Sequence, residues 1–210
     1  MNAFDFFDEI YCINIDERTD RWEHAKLEFE KVGIKDRVIR FSAIKETDGR
    51  LGIIKSNLAI INIAKEKKLK NVLIFEDDFE FIVDNPQDVL QTSINQINNI
   101  KWSIFYLGAN THDKLIKFKP NLILLKNAYA AHSLAYNENM YDIFIKKYKN
   151  LTSINNMNDI LDVYIANFIQ EKNICLMTYP MMTTQINSYS DIEKRIVDYS
   201  FIEERYKRNI

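Results

Sequence analysis

Glycine and proline are scarce in this chain, four and three among 210 residues. That excludes long flexible linkers and leaves few punctuation marks between elements. Cysteine is rarer still: Cys12 and Cys175 lie far apart, each inside an apolar run. They offer no zinc spacing, and each reads as a core thiol. No basic excess exists, since 28 Lys and Arg face 30 Asp and Glu. Nucleic-acid binding, which needs a basic field, is therefore not expected. No apolar stretch approaches the ~20 residues that cross a bilayer. Residues 1–10 lack the basic start and long apolar run of a signal peptide. These absences favour a reducing, cytoplasmic setting, with a place at a membrane periphery or in a virus left open.

What remains has the profile of a globular protein, 47% hydrophobic and 28% charged, long enough to bury a sizeable core without staples. One domain over 1–210 is expected. No repeat or low-complexity tract interrupts it.

Short apolar runs alternate with amphipathic stretches. Residues 10–15 (IYCINI) read as a buried strand. Residues 21–31 read as a helix with Trp22, Ala25 and Phe29 on one face, ended by Gly33. A second strand is expected at 38–43. A helix capped by Ser56 carries Leu58, Ile61 and Ala64 at helical spacing. The run 72–75 is a short apolar strand. Asn85-Pro86 opens a helix with Leu90, Ile94 and Ile97 as its stripe. Further strands are predicted at 103–107, 122–126, 129–136 and 174–179. Helices are predicted after Asn137, over 158–171 and over 191–207. Strand–helix–strand alternation in the first half predicts an α/β fold with a mostly parallel, doubly wound sheet. Ligands of such sheets sit beyond the carboxyl ends of the strands.

The strand 72–75 stops at three acids, Glu76-Asp77-Asp78. At the mouth of a buried strand their mutual repulsion is costly unless a cation offsets it. Hard divalent ions take carboxylate oxygens and leave room for substrate phosphates. Strand alternation points Glu76 and Asp78 one way and Asp77 another. The matching chemistry is displacement of a nucleoside diphosphate, with the metal as Lewis acid and template. A plain charged turn is the alternative. After the first strand, Asn14 to Arg21 place two arginines three residues apart where a helix begins, with Thr19 or Asp20 as its cap. Arg18 and Arg21 suit phosphates or a base; taken alone, the segment reads rather as a salt-bridged surface turn.

Taken together, the ordered segments INIDERTDRW (13–22), VIRFSAIKETDG (38–49), GRLGIIKSNL (49–58) and VLIFEDDF (72–79) resemble glycosyltransferase family 25. That family holds lipooligosaccharide and procollagen galactosyltransferases. Weaker likenesses follow at Tyr106-Leu107-Gly108, 131–136, Asp162-Val163-Tyr164, Pro180, Gln185 and Ser190-Asp191-Ile192. The chain departs from the pattern at Ile53, where the family has cysteine, and at Asn57, where it has histidine. Asn57 keeps hydrogen-bonding capacity but cannot titrate near neutrality, so the acceptor is expected to differ.

The resemblance implies a GT-A type fold, a UDP-sugar donor (galactose or glucose first) and Mn²⁺ or Mg²⁺. Glu76 and Asp78 would hold the metal. Asn14, Arg18, Arg21, Asp48, Lys55, Ser56, Glu76 and Asp77 would line the nucleotide-sugar site. The acceptor would be a glycan, a glycolipid or a hydroxylated protein, and a homodimer stays open. An inverting transfer needs a base beside the acceptor hydroxyl, and Asp162 and Asp191 are the candidates. Asp159 reads as a charge complementing a helix dipole, and a helix cap competes with the catalytic role at Asp191. His132 is expected as a satisfied core histidine, His24 and His112 as surface residues, and Tyr189 as a ring able to stack on sugar or uracil. The alternative from another class is a degenerate nucleotide-sugar-binding or assembly module; a metal-dependent phosphohydrolase is a weaker third.

Overall fold

The computed structural model describes residues 2–210. A short 3-10 turn, Ala3–Phe6, leads to β1 (Glu9–Asn14), α1 (Thr19–Lys31), β2 (Val38–Ser42) and α2 (Gly49–Glu66). Then come β3 (Asn71–Glu76), β4 (Phe79–Phe81), α3 (Pro86–Ile97), β5 (Ile104–Tyr106), β6 (Asn110–Thr111), β7 (Ile116–Lys119), β8 (Leu122–Leu124), β9 (Ala128–Tyr129) and β10 (Ser133–Asn137). After α4 (Tyr141–Tyr148), α5 (Leu161–Tyr164) runs through a π turn, Ile165–Ile169, into α6 (Gln170–Lys172). The chain closes with β11 (Cys175–Thr178), β12 (Thr183–Gln185), β13 (Ser188–Ser190), β14 (Arg195–Val197) and α7 (Ser200–Asn209).

Eight strands form the central sheet in the order β2-β1-β3-β10-β5-β11-β8-β7. β10 runs antiparallel to β3 and β5, and β8 to β11 and β7. The other six share one direction, so the sheet is mixed but mostly parallel in sense. Alternation along each strand feeds two cores. Ile10 and Cys12 of β1 pack with Phe29 of α1 and Leu90 of α3 on one face. Tyr11 and Ile13 pack with Ile54 of α2, Phe144 of α4 and Ile202 of α7 on the other. Helices thus cover both faces, as the strand–helix alternation predicts. Both cysteines are free and buried, and no helix among the described residues is long and apolar enough to cross a membrane.

Several elements differ from expectation. Asp48, not Ser56, caps α2, accepting from the Arg50 amide at 3.0 Å. Ser56 lies mid-helix, where its hydroxyl donates to Gly52 O and accepts from Ile44 N, the back-bonding available to a buried helical serine. Neither Thr19 nor Asp20 caps α1; Arg18 holds that position with no side-chain cap bond. The strand expected over 129–136 breaks around Ala130, which has φ +65°. The helix expected over 158–171 starts after a capping box between Asn156 and Asp159. The helix expected over 191–207 departs furthest. Its first part is the turn and second strand of a hairpin in which Tyr189 pairs with Ile196, and helix begins only at Ser200. Cross-strand pairing overrides the helical stripe there, so Asp191 caps nothing.

Candidate active site

Phe75 and Phe79 bracket the acidic triplet, and both are fully buried. Their ring centroids lie 4.4 Å apart, with Phe29 5.1 Å from Phe79. The chain must therefore reverse within three residues, and those three are Glu76, Asp77 and Asp78. Turning the acids outward would extract phenylalanines whose burial stabilises by roughly 1.5–3 kcal/mol each. The aspartates are consequently buried at 6% and 5% exposure, at the carboxyl end of β3 beside the ends of β1 and β2.

The simple alternation expected for the triplet does not hold beyond Glu76, because Asp77 and Asp78 sit in a turn. One guanidinium serves both: Arg21 Nη1 lies 3.0 Å from Asp77 Oδ1 and 3.2 Å from Asp78 Oδ2. Asn14 donates to Asp77 Oδ2 at 2.6 Å, and Gln185 donates to Asp78 Oδ1 at 3.2 Å. Glu76 shares in none of these bonds. Burial, then the charges of Asp78, Asp77 and Asp162, push its carboxyl up to about 8. Burial and Asp78 also raise Asp77, against the pull of Asn14 and Arg21.

Arg21 also reaches the hairpin of β13 and β14. Its Nη2 donates to Ser188 Oγ at 2.9 Å and to Tyr189 O at 2.8 Å. Arg18 pairs with Asp191 in the hairpin turn and with Asp20. The hairpin is thereby latched over a cleft of about 390 Å³, floored by the acidic triplet and lined by Arg18, Arg21, Ser56, Asp191, Lys194 and Tyr199 among others. Gly49 lies under the hairpin, where an added Cβ would meet Ile192 at 3.0 Å. Composition and periodicity carried no sign of this flap; the two arginines were the only trace of it.

The cleft gathers Arg18, Arg21, Ser56, Glu76, Asp77, Asp78 and Asp191. Asn14 stands behind it, donating to Asp77 and accepting from Arg40 at 2.9 Å. Asp48 and Lys55 do not line it: Asp48 is occupied with Arg50, and Lys55 pairs with Glu46. Asn57 faces the core, donating to Ile53 O at 3.0 Å and accepting from Tyr136 at 3.4 Å. His132 is fully buried, as expected, but only half satisfied. Its Nε2 meets Thr183 Oγ1 at 3.3 Å while Nδ1 has no partner, and burial lowers it to about 4, so the ring is neutral. His24 bonds Phe79 O at 2.8 Å and holds the turn from outside. Asp159 is buried, and Lys147 and the amides of Asn155 and Asn156 surround it.

A second chamber, of about 270 Å³, adjoins the cleft. Glu76, Gln185, Ile53, Ile192 and Tyr199 line both and form the waist between them. Its far wall holds Asp162, Asn110, Tyr129 and Phe201. Asp162 Oδ2 accepts from the amide of Ala130 at 3.2 Å, and Oδ1 from that of Val163 at 2.8 Å. The chamber, and Gln185 as a second partner of Asp78, are features that sequence reading did not find.

Among the described residues, no three acidic, histidine or cysteine side chains form a complete metal cage. A hard divalent ion shared with substrate phosphates needs only one or two carboxylates. Glu76, with no protein partner, and Asp78, with one cationic contact, supply an oxygen-only pair of that kind. The residues present fit Mn²⁺ or Mg²⁺ bound together with an anionic ligand.

No family model and no curated protein matches the chain. Among solved structures it is similar to a glycosyltransferase involved in the glycosylation of the major capsid of PBCV-1. That protein is 12% identical, with 96% of this chain and 97% of that one covered at a TM-score of 0.54. The two share a fold. This chain therefore has the GT-A type of α/β architecture, as the resemblance to family 25 implies. Protein A197 from STIV (8% identical, 90% and 92% covered) and a UDP-glucose pyrophosphorylase complexed with UDP-glucose (9%, 95% and 80%) each reach 0.49.

Proposed function

We propose that residues 1–210 form one glycosyltransferase domain of the family 25 kind, moving a hexose from a UDP-sugar to an acceptor hydroxyl with inversion. The carrying observation is the placement of Glu76 at the waist, with Asp78 beside it on the floor of the cleft, between that cleft, lined by Arg18 and Arg21, and a second chamber lined by Asp162. In a single displacement, donor and acceptor must meet on opposite sides of one carbon. Two cavities joined at a carboxylate rim supply that arrangement.

Glu76 and Asp78 would hold the divalent ion, which when bound offsets charge growing on the leaving diphosphate. Arg18 and Ser56 line the donor side. Asp77 braces Arg21, and Asn14 braces Asp77 from behind. Asp162 lies on the acceptor side, where it can take the proton of an attacking hydroxyl. Its two amide contacts fix the carboxylate's orientation and leave lone pairs free. Asp191, already paired with Arg18, is the weaker base candidate; its place is in holding the flap.

The test is UDP release from UDP-galactose and UDP-glucose with Mn²⁺. We expect turnover that chelation abolishes, and a loss of at least about 10²-fold in Asp78→Ala. An Asp78→Ala protein that stays active without metal would overturn the reading. One observation favours a second reading: Arg21 already pairs with both aspartates, as a module that only binds nucleotide-sugars would allow. UDP binding by calorimetry with no turnover on any donor would decide for the module.

A further inference from the structure

Six carboxylates line the donor cleft: Glu17, Glu46, Glu76, Asp77, Asp78 and Asp191. Four cations face them: Arg18, Arg21, Lys45 and Lys194. Most are already paired. Arg18 pairs with Asp191, Arg21 with Asp77 and Asp78, Lys45 with Glu17 at 2.6 Å, and Glu46 with Lys55 outside the cleft. Among the described residues two ionisable side chains of the cleft are left without a partner, Glu76 on the floor and Lys194 at the lip. Apart from Lys194, every cation of the cleft is taken up by a carboxylate, so none is spare for a nucleoside diphosphate, whose charge exceeds what a single dication removes. The exposed Lys194 ammonium, which lines the same space, is free to supply charge there.

Lys194 also occupies an uncommon backbone position. It closes the turn of the β13–β14 hairpin at φ +56°, its amide donating to Ser190 O at 2.8 Å. A left-handed conformation costs a non-glycine residue on the order of 1–2 kcal/mol, and glycine or asparagine fits such a turn with less strain. A lysine there accepts backbone strain in exchange for its side chain, and such outliers concentrate at ligand clamps.

We infer that Lys194 is a substrate-contacting residue, carried on the hairpin flap, which grips the diphosphate of the donor and of the released nucleotide. The inference rests on the nucleotide-sugar reading above and extends it to a residue that neither the motifs nor the fold singles out. The flap latch sets the geometry: Arg21 ties Ser188 and Tyr189 to the acidic floor, so the hairpin that closes over that floor carries Lys194 toward a diphosphate bound there.

The test is calorimetry on the full chain with MnCl₂, titrating UDP, uridine and inorganic pyrophosphate. Lys194→Gly keeps the left-handed turn and removes only the side chain, and Lys194→Gln removes only the charge. Both should bind UDP and pyrophosphate about tenfold more weakly and leave uridine binding unchanged. Lys194→Arg should stay within about threefold of the parent. Arg195→Gln, on the same flap but outside the cleft, controls for net charge and should change nothing. Undiminished binding of UDP and pyrophosphate by Lys194→Gly, or an equal loss in Arg195→Gln, overturns the inference and leaves the nucleotide-sugar reading standing. A parent chain that binds pyrophosphate through Lys194 but neither UDP nor uridine keeps the contact and removes the nucleotide-sugar reading. A parent chain that binds none of the three overturns both.

Discussion

Burial and the charges of Asp78, Asp77 and Asp162 lift the Glu76 carboxyl from 4.5 to about 8, and that shift has a sign in stability. Between about pH 4.5 and 8 the folded, metal-free protein holds a proton that the unfolded chain has released. Stability therefore falls as pH rises through that window and levels off above it. Glu76→Gln removes the ionisable group at nearly constant shape. In EDTA we expect its melting temperature to exceed the parent's at pH 8 by at least roughly 2–4 °C, the shift that about 1 kcal/mol gives in a domain of this size, with little difference at pH 5. A parent whose stability is flat from pH 5 to 8 would show that Glu76 titrates normally. Gly108 acts at the same scale by a different cause. A Cβ there would lie 1.9 Å from Thr183 O, a backbone clash that no side-chain rotation relieves. Gly108→Ala should cost about 3 kcal/mol or more in denaturant unfolding.

The β13–β14 hairpin is an element whose position depends on two side chains from the other end of the chain. Arg21 carries four bonds at once, to Asp77, Asp78, Ser188 and Tyr189. Arg21→Met keeps much of the volume but strands two buried carboxylates, which costs about 3–5 kcal/mol. It also frees the flap. Hydrogen exchange should accelerate at 188–197 by far more than at β1 or β3. Uniform acceleration across the sheet would mean that Arg21 holds the fold rather than the flap. The helix expected over 191–207 illustrates why this element was hidden. The same residues satisfy a helical stripe locally, and pairing of Tyr189 with Ile196 becomes visible only once the arginine latch holds the two strands over the cleft.

At the scale of the whole molecule, two cavities meet at the carboxyl edge of a sheet that is buried on both faces. Because only the waist is shared, filling the far chamber should separate acceptor from donor. Ile160→Trp, placed in the chamber wall and outside the cleft, should leave acceptor-free UDP release within about twofold while lowering transfer at least tenfold. Equal losses in both would place the acceptor elsewhere. The alternation of strands and helices and the acidic triplet at the end of β3 were legible in the chain, because burial periodicity and three adjacent acids are local signals. So were the helix end at Gly33 and the helix start at Pro86. The flap, the bridging role of Arg21, the second chamber and the partner of Asp78 were not. The bonds of the latch and of Asp78 join residues 56 to 173 positions apart, and no window along the sequence contains both ends. Local order thus determined that a charged rim would exist on a buried sheet. Which of its carboxylates are neutralised, and which face open space, was decided only when distant segments closed over that rim.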